Sequence, residues 1–281
     1  MDGRLRLRFE RAHGAAGTTV RVEEQRPPLQ VVRAFALDDG GALVHLHNLS
    51  GGVLGGDRLG LEIDVGPQAE AQVTSTGATR LYRSRREAPA ATQVNQIRIG
   101  ENALLEYLPD PLIPFAGSRY RQQTRIEMAA GAGLVWWETV APGREACGER
   151  FAYELLELRL DIMAESRPVA AERLRLEPER RPLTSVARLG PYRYWASLYI
   201  CLIDIEERRW LALERKMADV AGELTRPGEV VWGASALAAH GVAVRGVSVS
   251  AREVAAGLPA FWRAAKLHLW GREAVPPRKV Q

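Results

Sequence analysis

NLSGGVLGGDRLGLEIDVGPQAEAQVTSTGATRLYRS, residues 48–84, is the stretch that decides the fold. Two glycine pairs, Gly51-Gly52 and Gly55-Gly56, flank an apolar step and lead to Asp57. Beyond Asp57, aliphatic residues alternate with other residues at Leu59, Leu61, Ile63 and Val65. Glycine permits positive φ and close backbone approach, and strict alternation is typical of a half-buried strand. The stretch therefore predicts a glycine-built bend that presents the Asp57 carboxylate and continues into a strand.

The bend has two interpretations, since Asp57 could cap backbone N–H groups or serve a functional site. A phosphate-binding loop is excluded, because such loops open a helix and carry a Lys followed by Ser or Thr. Short polar and basic side chains follow around Gly77. They are Thr74, Ser75, Thr76, Thr79, Arg80, Tyr82, Arg83 and Ser84.

A weak internal repeat follows the bend. IDVGPQAEAQV from Ile63, IRIGENALLEY from Ile97 and IEMAAGAGLVW from Ile126 share one plan, and LRLDIMAESRPVAAERLRL from Leu158 is a degenerate fourth copy. Each unit places two alternating aliphatic residues before a small turn and a second strand. A period of about thirty residues is typical of stacked supersecondary units. We expect a mainly β protein whose residues 1–205 form stacked strand pairs in a layered or solenoid-like (β-helical) body.

The last third of the chain changes character. Residues 206–224 space Trp210, Leu213, Met217 and Val220 at helical intervals, which predicts an amphipathic helix. Ser250 and Glu253 form a plausible capping box for a second helix that we expect to be interrupted near residues 257–259. We therefore predict one domain over residues 1–281. It has a helix-containing part at about 206–270 and a basic, proline-containing tail at 271–281.

Composition limits the function classes. The 281 residues are 46% hydrophobic and carry a formal charge of +4, with no basic run interleaved with stacking aromatics, so nucleic acid is not an expected partner. Two distant cysteines, Cys147 and Cys201, argue against a disulfide scaffold and a structural zinc site. The N-terminus lacks the apolar core of a signal peptide, and the longest apolar run is too short to cross a bilayer. We expect a soluble, cytoplasmic protein without a membrane partner.

No catalytic constellation is evident. His45 and His47 are two apart on a predicted strand, a spacing that two metal ligands could use, although such a pair more often lies on a partly exposed strand face. Carboxylates in or near apolar segments could act as paired acids in a glycan-cleaving groove. They are Glu106, Asp110, Glu138 and Glu172. The belt of exposed aromatic residues that such a groove needs is missing from the sequence.

Five motifs together resemble the urease accessory proteins of the UreD (UreH) family. They are GGVLGGDRLGLEIDVG, TSTGATRLYRS, LEYLPDPLIPFAGSRYR, WWETVAPGREACGERF and GREAVPPRKV, in that family's order and spacing. The glycine pairs and the polar cluster around Gly77 are thus family motifs. The resemblance implies a non-enzymatic chaperone that works with UreF and the GTPase UreG to assemble the nickel centre of urease. It also implies that nickel passes to the apoenzyme through an internal channel.

The resemblance gives the carboxylates a second meaning. A conduit needs sparse oxygen ligands, because a full set of imidazoles or thiolates would trap nickel. Residues expected to line such a channel are Asp57, Glu106, Glu138, Glu172 and His47, with nickel in transit and no permanently bound cofactor. For each acid taken singly, a salt-bridged or solvent-facing role is the alternative.

The expected partners follow from the absence of a phosphate-binding loop. Any nucleotide-driven step must come from a partner, which the resemblance identifies as UreG, reached through UreF, with apo-urease as the recipient. Residues proposed for the UreF side are Trp210, Arg278 and Lys279. Three functions stay open at this point: a nickel-conducting chaperone, a pure assembly scaffold, and a β-solenoid carbohydrate-active enzyme.

Overall fold

The computed structural model describes residues 1–11, 14 and 17–277, and these form two stacked β-sheets with two helices. The strands are β1 (Asp2–Glu10), β2 (Thr19–Arg26), β3 (Leu29–Gln30), β4 (Ala34–Ala36), β5 (Ala42–Asn48), β6 (Arg58–Val65), β7 (Glu70–Ser75), β8 (Thr79–Leu81), β9 (Ala91–Ile99), β10 (Leu104–Tyr107), β11 (Leu112–Pro114), β12 (Arg119–Met128), β13 (Gly133–Val140), β14 (Leu155–Ala164), β15 (Arg167–Leu176), β16 (Tyr194–Leu202), β17 (Val230–Ala236) and β18 (Gly241–Ser248). The helices are α1 (Glu207–Leu224) and α2 (Ala251–Trp270), and a short 3-10 turn spans Glu145–Cys147.

The strands divide between an outer sheet and a central sheet. The outer sheet has seven strands in the order β15-β14-β12-β9-β6-β1-β2. The central sheet follows the order β17-β18-β16-β13-β10-β7-β5-β3, with β4, β8 and β11 paired beside this path. One face of the central sheet packs on the outer sheet and the other packs on α1 and α2. The layered body and the two C-terminal helices are therefore confirmed, whereas a solenoid is not.

The internal repeat explains why the strands alternate between sheets. Strands β6, β9, β12 and β14 pair in parallel in the outer sheet, and β7, β10 and β13 pair in parallel in the central sheet. Ile63 lies opposite Ile97, Ile97 opposite Ile126, and Ile126 opposite Ile162. The repeated aliphatic positions thus form one ladder across the sheet. All four isoleucines are at most 1% exposed, so the ladder lies in the core between the sheets.

The helix layer covers the far face of the central sheet. Trp210, Leu213, Met217 and Val220 of α1 are buried there, which confirms the amphipathic pattern. At the start of α2, the Ser250 hydroxyl accepts a hydrogen bond from Arg252 N–H at 3.2 Å. The predicted interruption near residues 257–259 is wrong, because α2 runs unbroken through Pro259. Gly257 instead allows the helix to approach the indole of Trp232 closely.

The described part of the tail lies against the central sheet. Gln72 Nε2 donates to the Val275 carbonyl at 2.9 Å, and Arg272 forms an ion pair with Glu70 at 2.9 Å. Both partners belong to β7, so the chain beyond α2 returns to the middle of the fold. Within residues 1–11, 14 and 17–277, no helix combines the length and apolar character needed to cross a membrane.

Candidate functional site between the two sheets

A group of polar side chains interrupts the apolar core between the sheets. On the outer sheet, Asn95 lies opposite Thr124 and Gln93 opposite Gln122, all on the face that carries the isoleucine ladder. Asn95 Nδ2 donates to Thr124 Oγ1 at 2.9 Å, and Gln93 Nε2 donates to Asn95 Oδ1 at 2.9 Å. The Tyr120 hydroxyl lies within hydrogen-bond distance of both Gln93 Oε1 and Gln122 Oε1, at 3.0 and 3.1 Å. Buried polar groups are costly unless they are paired, and these side chains pair with one another.

Glu138 of β13 meets this polar group from the central sheet. Its Oε1 accepts a hydrogen bond from Gln122 Nε2, so the contact bridges the two sheets. Burial, reinforced by the negative charge of Glu172, raises the pKa of Glu138 from 4.5 to about 8, against the lowering effect of the Gln122 hydrogen bond. At neutral pH the protonated acid is therefore favoured. A cation arriving beside it would favour the ionised form.

Two tyrosines border Glu138 on the same level of the core. Tyr107 stacks on Trp136 with ring centroids 4.0 Å apart. Burial and the proximity of Glu138 raise the pKa of Tyr107, and burial is also the first cause of the raised pKa of Tyr120. Both phenols are therefore neutral over the physiological range, and they supply hydroxyl groups without adding charge.

Glu172 of β15 marks the far side of the polar group. Its Oε2 accepts hydrogen bonds from the Tyr199 hydroxyl at 2.6 Å and from the Ser197 hydroxyl at 3.3 Å. Arg245 forms an ion pair with the same oxygen at 3.2 Å. Ser197 lies opposite Glu138 in the central sheet, so the two acids belong to one continuous polar region.

A cavity of about 270 Å³ opens at the other side of this region. Gln93 and Tyr107 form its inner wall, and the glycine bend and the polar cluster around Gly77 form much of its mouth. The cavity lies near β5 and β7, whereas Glu172 and Arg245 belong to β15 and β18. We call the whole arrangement the polar row. It runs across the strands, from the cavity through Gln93, Tyr120, Gln122 and Glu138 to Glu172.

The glycine bend is shaped by its contact with β8 and the residues that follow it. A Cβ at Gly52 would lie 2.5 Å from the Arg80 carbonyl oxygen, and one at Gly55 would lie 2.8 Å from Ser84 Oγ. Gly51 and Gly56 have φ of +72° and +87°, which favour glycine. Val53 N–H donates to the Arg80 carbonyl at 2.8 Å. The family-motif residues thus hold the cavity mouth together through backbone contacts.

The rest of the polar cluster is also held by local hydrogen bonds. Thr74 Oγ1 donates to the Leu108 carbonyl at 2.6 Å, and Asp110 N–H donates to Ser75 Oγ at 2.8 Å. The Tyr82 hydroxyl donates to the Gly51 carbonyl at 3.2 Å. Thr76, Gly77 and Arg80 line the cavity, and Arg83 packs near Gly117.

Asp57 lies apart from the polar row. Its Oδ2 accepts from Leu54 N–H at 2.9 Å, and its Oδ1 pairs with the Met1 amino group at 2.7 Å. The residue is only 2% exposed. The geometry matches the interpretation in which Asp57 caps the glycine bend, since the contacts described for its carboxylate are with Leu54 and Met1.

Glu106 lies on the opposite face of the central sheet from Glu138. It accepts hydrogen bonds from Trp262 Nε1 at 2.7 Å and Gln72 Nε2 at 3.1 Å, beneath α2. It also pairs with Lys266 Nζ at 3.1 Å, and Lys266 binds Asp39 at 3.3 Å. Glu106 and Glu138 therefore cannot line a single path between the sheets.

His47 lines the cavity mouth and also a neighbouring cleft of about 260 Å³. His45 and Phe35 also line that cleft, with their rings edge to face and the ring centroids 5.6 Å apart. Burial, and then the nearby His45, lower the pKa of His47. In the part of the chain that the structure describes, no three His, Cys, Asp or Glu side chains are grouped so as to hold a metal ion.

The predicted partner-binding residues lie elsewhere. Trp210 is 7% exposed and packs within the chain's own helix layer. Arg278 and Lys279 lie outside the described residues. A role for these three residues in binding UreF stays a prediction.

Sequence reasoning missed several polar-row residues. Gln93 and Asn95 precede Ile97 and Ile99 at alternating positions, so the period of two already places them on the buried face. The same alternation places Gln122 and Thr124 inward beside Ile126. Polar residues at core positions of a strand were therefore a usable signal. Tyr199 and Arg245 have no comparable pattern, because their contacts depend on the meeting of two distant strands.

Known proteins resemble this chain over most or all of its length. The family model described as UreD urease accessory protein matches residues 1–281. The chain is 48% identical over 280 residues to the urease accessory protein UreD of Herpetosiphon aurantiacus, covering all of this chain and 96% of the relative. It is 35% identical over 269 residues to UreD of Deinococcus radiodurans, covering 94% of this chain and 87% of the relative. UreD of Pseudomonas aeruginosa is 33% identical over 274 residues, covering 96% and 92%. The chain belongs to the UreD urease accessory protein family.

Proposed function

We propose that this member of the UreD family is a non-catalytic urease maturation chaperone that conducts nickel along the polar row. Family membership supports a role in urease maturation. In this proposal the chain works in the cytoplasm, joins apo-urease to UreF and, through UreF, to the GTPase UreG. Nickel is cargo in transit and is not a resident cofactor.

The polar row is the observation that carries the proposal. Packed cores bury amides and carboxylates only at a cost, so a continuous set of them between two sheets calls for a purpose beyond stability. The row offers oxygen atoms from two amides, a phenol and two carboxylates, few at each step. Such oxygen ligands bind nickel weakly enough for release, whereas imidazole and thiolate sets bind it more tightly.

Glu138 is the central nickel-binding residue of the proposed path. No ion pair within the described residues reaches its carboxylate, and its only hydrogen-bond donor there is Gln122. Its raised pKa, about 8, means that an arriving cation would displace a proton. Conduction should therefore be faster at pH 8 than at pH 6.5.

Urease activation with a matched pair of variants tests the proposal. Glu138→Gln keeps the side-chain shape but removes the charge, and Glu127→Gln makes the same change on the exposed face of β12. With UreF, UreG, apo-urease, nickel and GTP, we expect Glu138→Gln to slow activation by about tenfold, and Glu127→Gln to leave it unchanged. Co-purification with UreF should be normal for both variants.

The same experiment separates the alternatives. Normal activation by Glu138→Gln would refute conduction through the polar row and leave the pure scaffold. Activation that does not require this chain at all would refute the maturation role. A carbohydrate-active enzyme would show turnover of polysaccharide by the isolated chain, without any partner.

A further inference from the structure

Arg245 lies where the polar row reaches the side of the molecule. It belongs to β18, opposite Ser197 of β16, and Ser197 lies opposite Glu138 of β13. Glu172, its acidic partner, belongs to β15, the edge strand of the outer sheet. The Arg245 side chain is 43% exposed, whereas Glu172 is 14% exposed. Arg245 thus separates a nearly buried carboxylate from solvent.

The guanidinium makes three contacts with Glu172 and Tyr199. Arg245 Nη2 lies 3.2 Å from Glu172 Oε2 and donates to the Tyr199 hydroxyl at 2.7 Å. Its planar group also stacks over the Tyr199 ring, 4.9 Å from the centroid. Tyr199 in turn donates to the same Glu172 oxygen at 2.6 Å. Arginine suits this position better than lysine, because a planar guanidinium can stack and hydrogen-bond at once.

Arg245 gives Glu172 a cationic partner, whereas no ion pair among the described residues involves Glu138. Along the described polar row, Arg245 is the cationic side chain in contact with a row carboxylate. A divalent cation approaching Glu172 would be repelled by the guanidinium 3.2 Å from its Oε2, because the two carry charges of the same sign.

We infer that Arg245 is a gating residue whose guanidinium competes with a divalent cation for Glu172 and so closes the polar row at this end. The inference rests on the proposed function and concerns its regulation. Arg245 does not itself ligate the cation. It positions Glu172 and neutralises the carboxylate until the side chain swings away toward solvent.

Direct metal binding to the purified full-length chain tests the gate, with Ni²⁺ chloride titrated in a calorimeter. Arg245→Met retains much of the apolar stem and removes the charge, so we expect Ni²⁺ to bind about tenfold more tightly than to the unmodified chain. Arg245→Lys keeps a cation near Glu172 and should restore binding to the level of the unmodified chain. In the double variant Arg245→Met/Glu172→Gln, the gain should vanish.

Two outcomes would overturn the inference. One is Arg245→Met binding Ni²⁺ no more tightly than the unmodified chain; the other is a gain that persists without the Glu172 carboxylate. If Arg245→Met does not fold, Tyr199→Phe replaces it, because loss of the hydroxyl loosens the guanidinium while retaining the ring. We expect about a threefold gain for that variant, and no gain would count equally against the gate.

The result is distinguishable from failure of the proposed function. If Glu138→Gln activates urease normally while Arg245→Met still gains affinity through Glu172, the gate stands and nickel conduction to urease fails. If Glu138→Gln slows activation but Arg245→Met shows no gain, conduction stands and the gate fails.

Discussion

The two faces of the central sheet each bury a glutamate, and the two are treated differently. Beneath α2, Glu106 receives Lys266, Trp262 and Gln72, so its charge is matched by a buried cation and further donors. Between the sheets, the Gln122 amide is the one hydrogen-bond donor to Glu138 among the residues that the structure describes, and burial raises the pKa of Glu138. The first arrangement resembles a fixed clamp that attaches α2 to the sheet. The second leaves a carboxyl group whose charge state can change.

The difference teaches that burial of an acid alone does not indicate function. A buried ion pair whose hydrogen bonds are satisfied is costly to break and has little reason to exchange its partner. A buried acid without a counter-charge gains from any cation that can reach it. The helix face is thus the static side of the sheet, and the inter-sheet face is its responsive side.

The largest expected change in the free energy of unfolding comes from the helix face of the central sheet, at Lys266. Lys266→Met leaves Glu106 and Asp39 without their buried cation, and we expect a loss of about 3–5 kcal/mol in the free energy of unfolding. Urea denaturation measures it, with Lys216→Met on the exposed face of α1 as a control that should change little. Adding Glu106→Gln to Lys266→Met should recover part of the loss. A loss below about 1 kcal/mol would show that the clamp is not stabilising.

On the inter-sheet face, the effect of replacing Glu138 on the free energy of unfolding should depend on pH. Because the pKa of Glu138 is raised in the folded state, the folded chain holds a proton that the unfolded chain has lost, and its stability falls as pH rises from about 4.5 to about 8. Glu138→Gln removes this loss. We expect the variant to be more stable than the unmodified chain at pH 9 by on the order of 3 kcal/mol, and nearly equal at pH 5.

Thermal unfolding of the unmodified chain and of Glu138→Gln at a series of pH values that includes the two named above provides the measurement. Glu127→Gln, on the solvent face of β12, should show no such divergence. A pH-independent difference between Glu138→Gln and the unmodified chain would contradict the contrast between the two faces.

The smallest effect concerns the mouth of the cavity. Gly52→Ala places a methyl group against the Arg80 carbonyl, and we expect a loss of about 2 kcal/mol and a displaced bend. Gly77→Ala is the matched control, because nothing lies within 4 Å of the added Cβ. Chemical denaturation distinguishes the two. Equal stabilities of Gly52→Ala and Gly77→Ala would mean that the glycine bend can accommodate the added methyl group, and that the close contact at Gly52 does not fix the shape of the cavity mouth.

Much of the fold follows from local pattern. The glycine bend, the repeated aliphatic positions and the α1 periodicity predicted a layered β body with two helices. The one clear error in the helices concerns Pro259, since packing of α2 on the sheet outweighs the lost backbone hydrogen bond.

The placement of the acids could not be read in the same way. Strands β10 and β13 are buried on both faces, so LLEY and GLVWWETV lack the alternation that would assign Glu106 and Glu138 to a side. The partner that fixes Glu106 is Lys266, which follows it by 160 residues. Gln93 and Gln122 were predictable from alternation, whereas the contacts of Arg245 depend on how β18 of the central sheet lies against β15, the edge strand of the outer sheet.

The isoleucine ladder has a consequence for how the chain acquires its shape. Each pair of isoleucines joins strands that are roughly thirty residues apart in sequence. Each new strand of the repeat therefore pairs with the corresponding strand of the preceding repeat unit. The entropy lost in closing each connection therefore stays nearly constant as the body grows. We expect assembly to proceed in order of emergence from the ribosome. Length changes in the connections should be tolerated, whereas deletion of one residue within a strand would turn the later side chains of that strand to the wrong face.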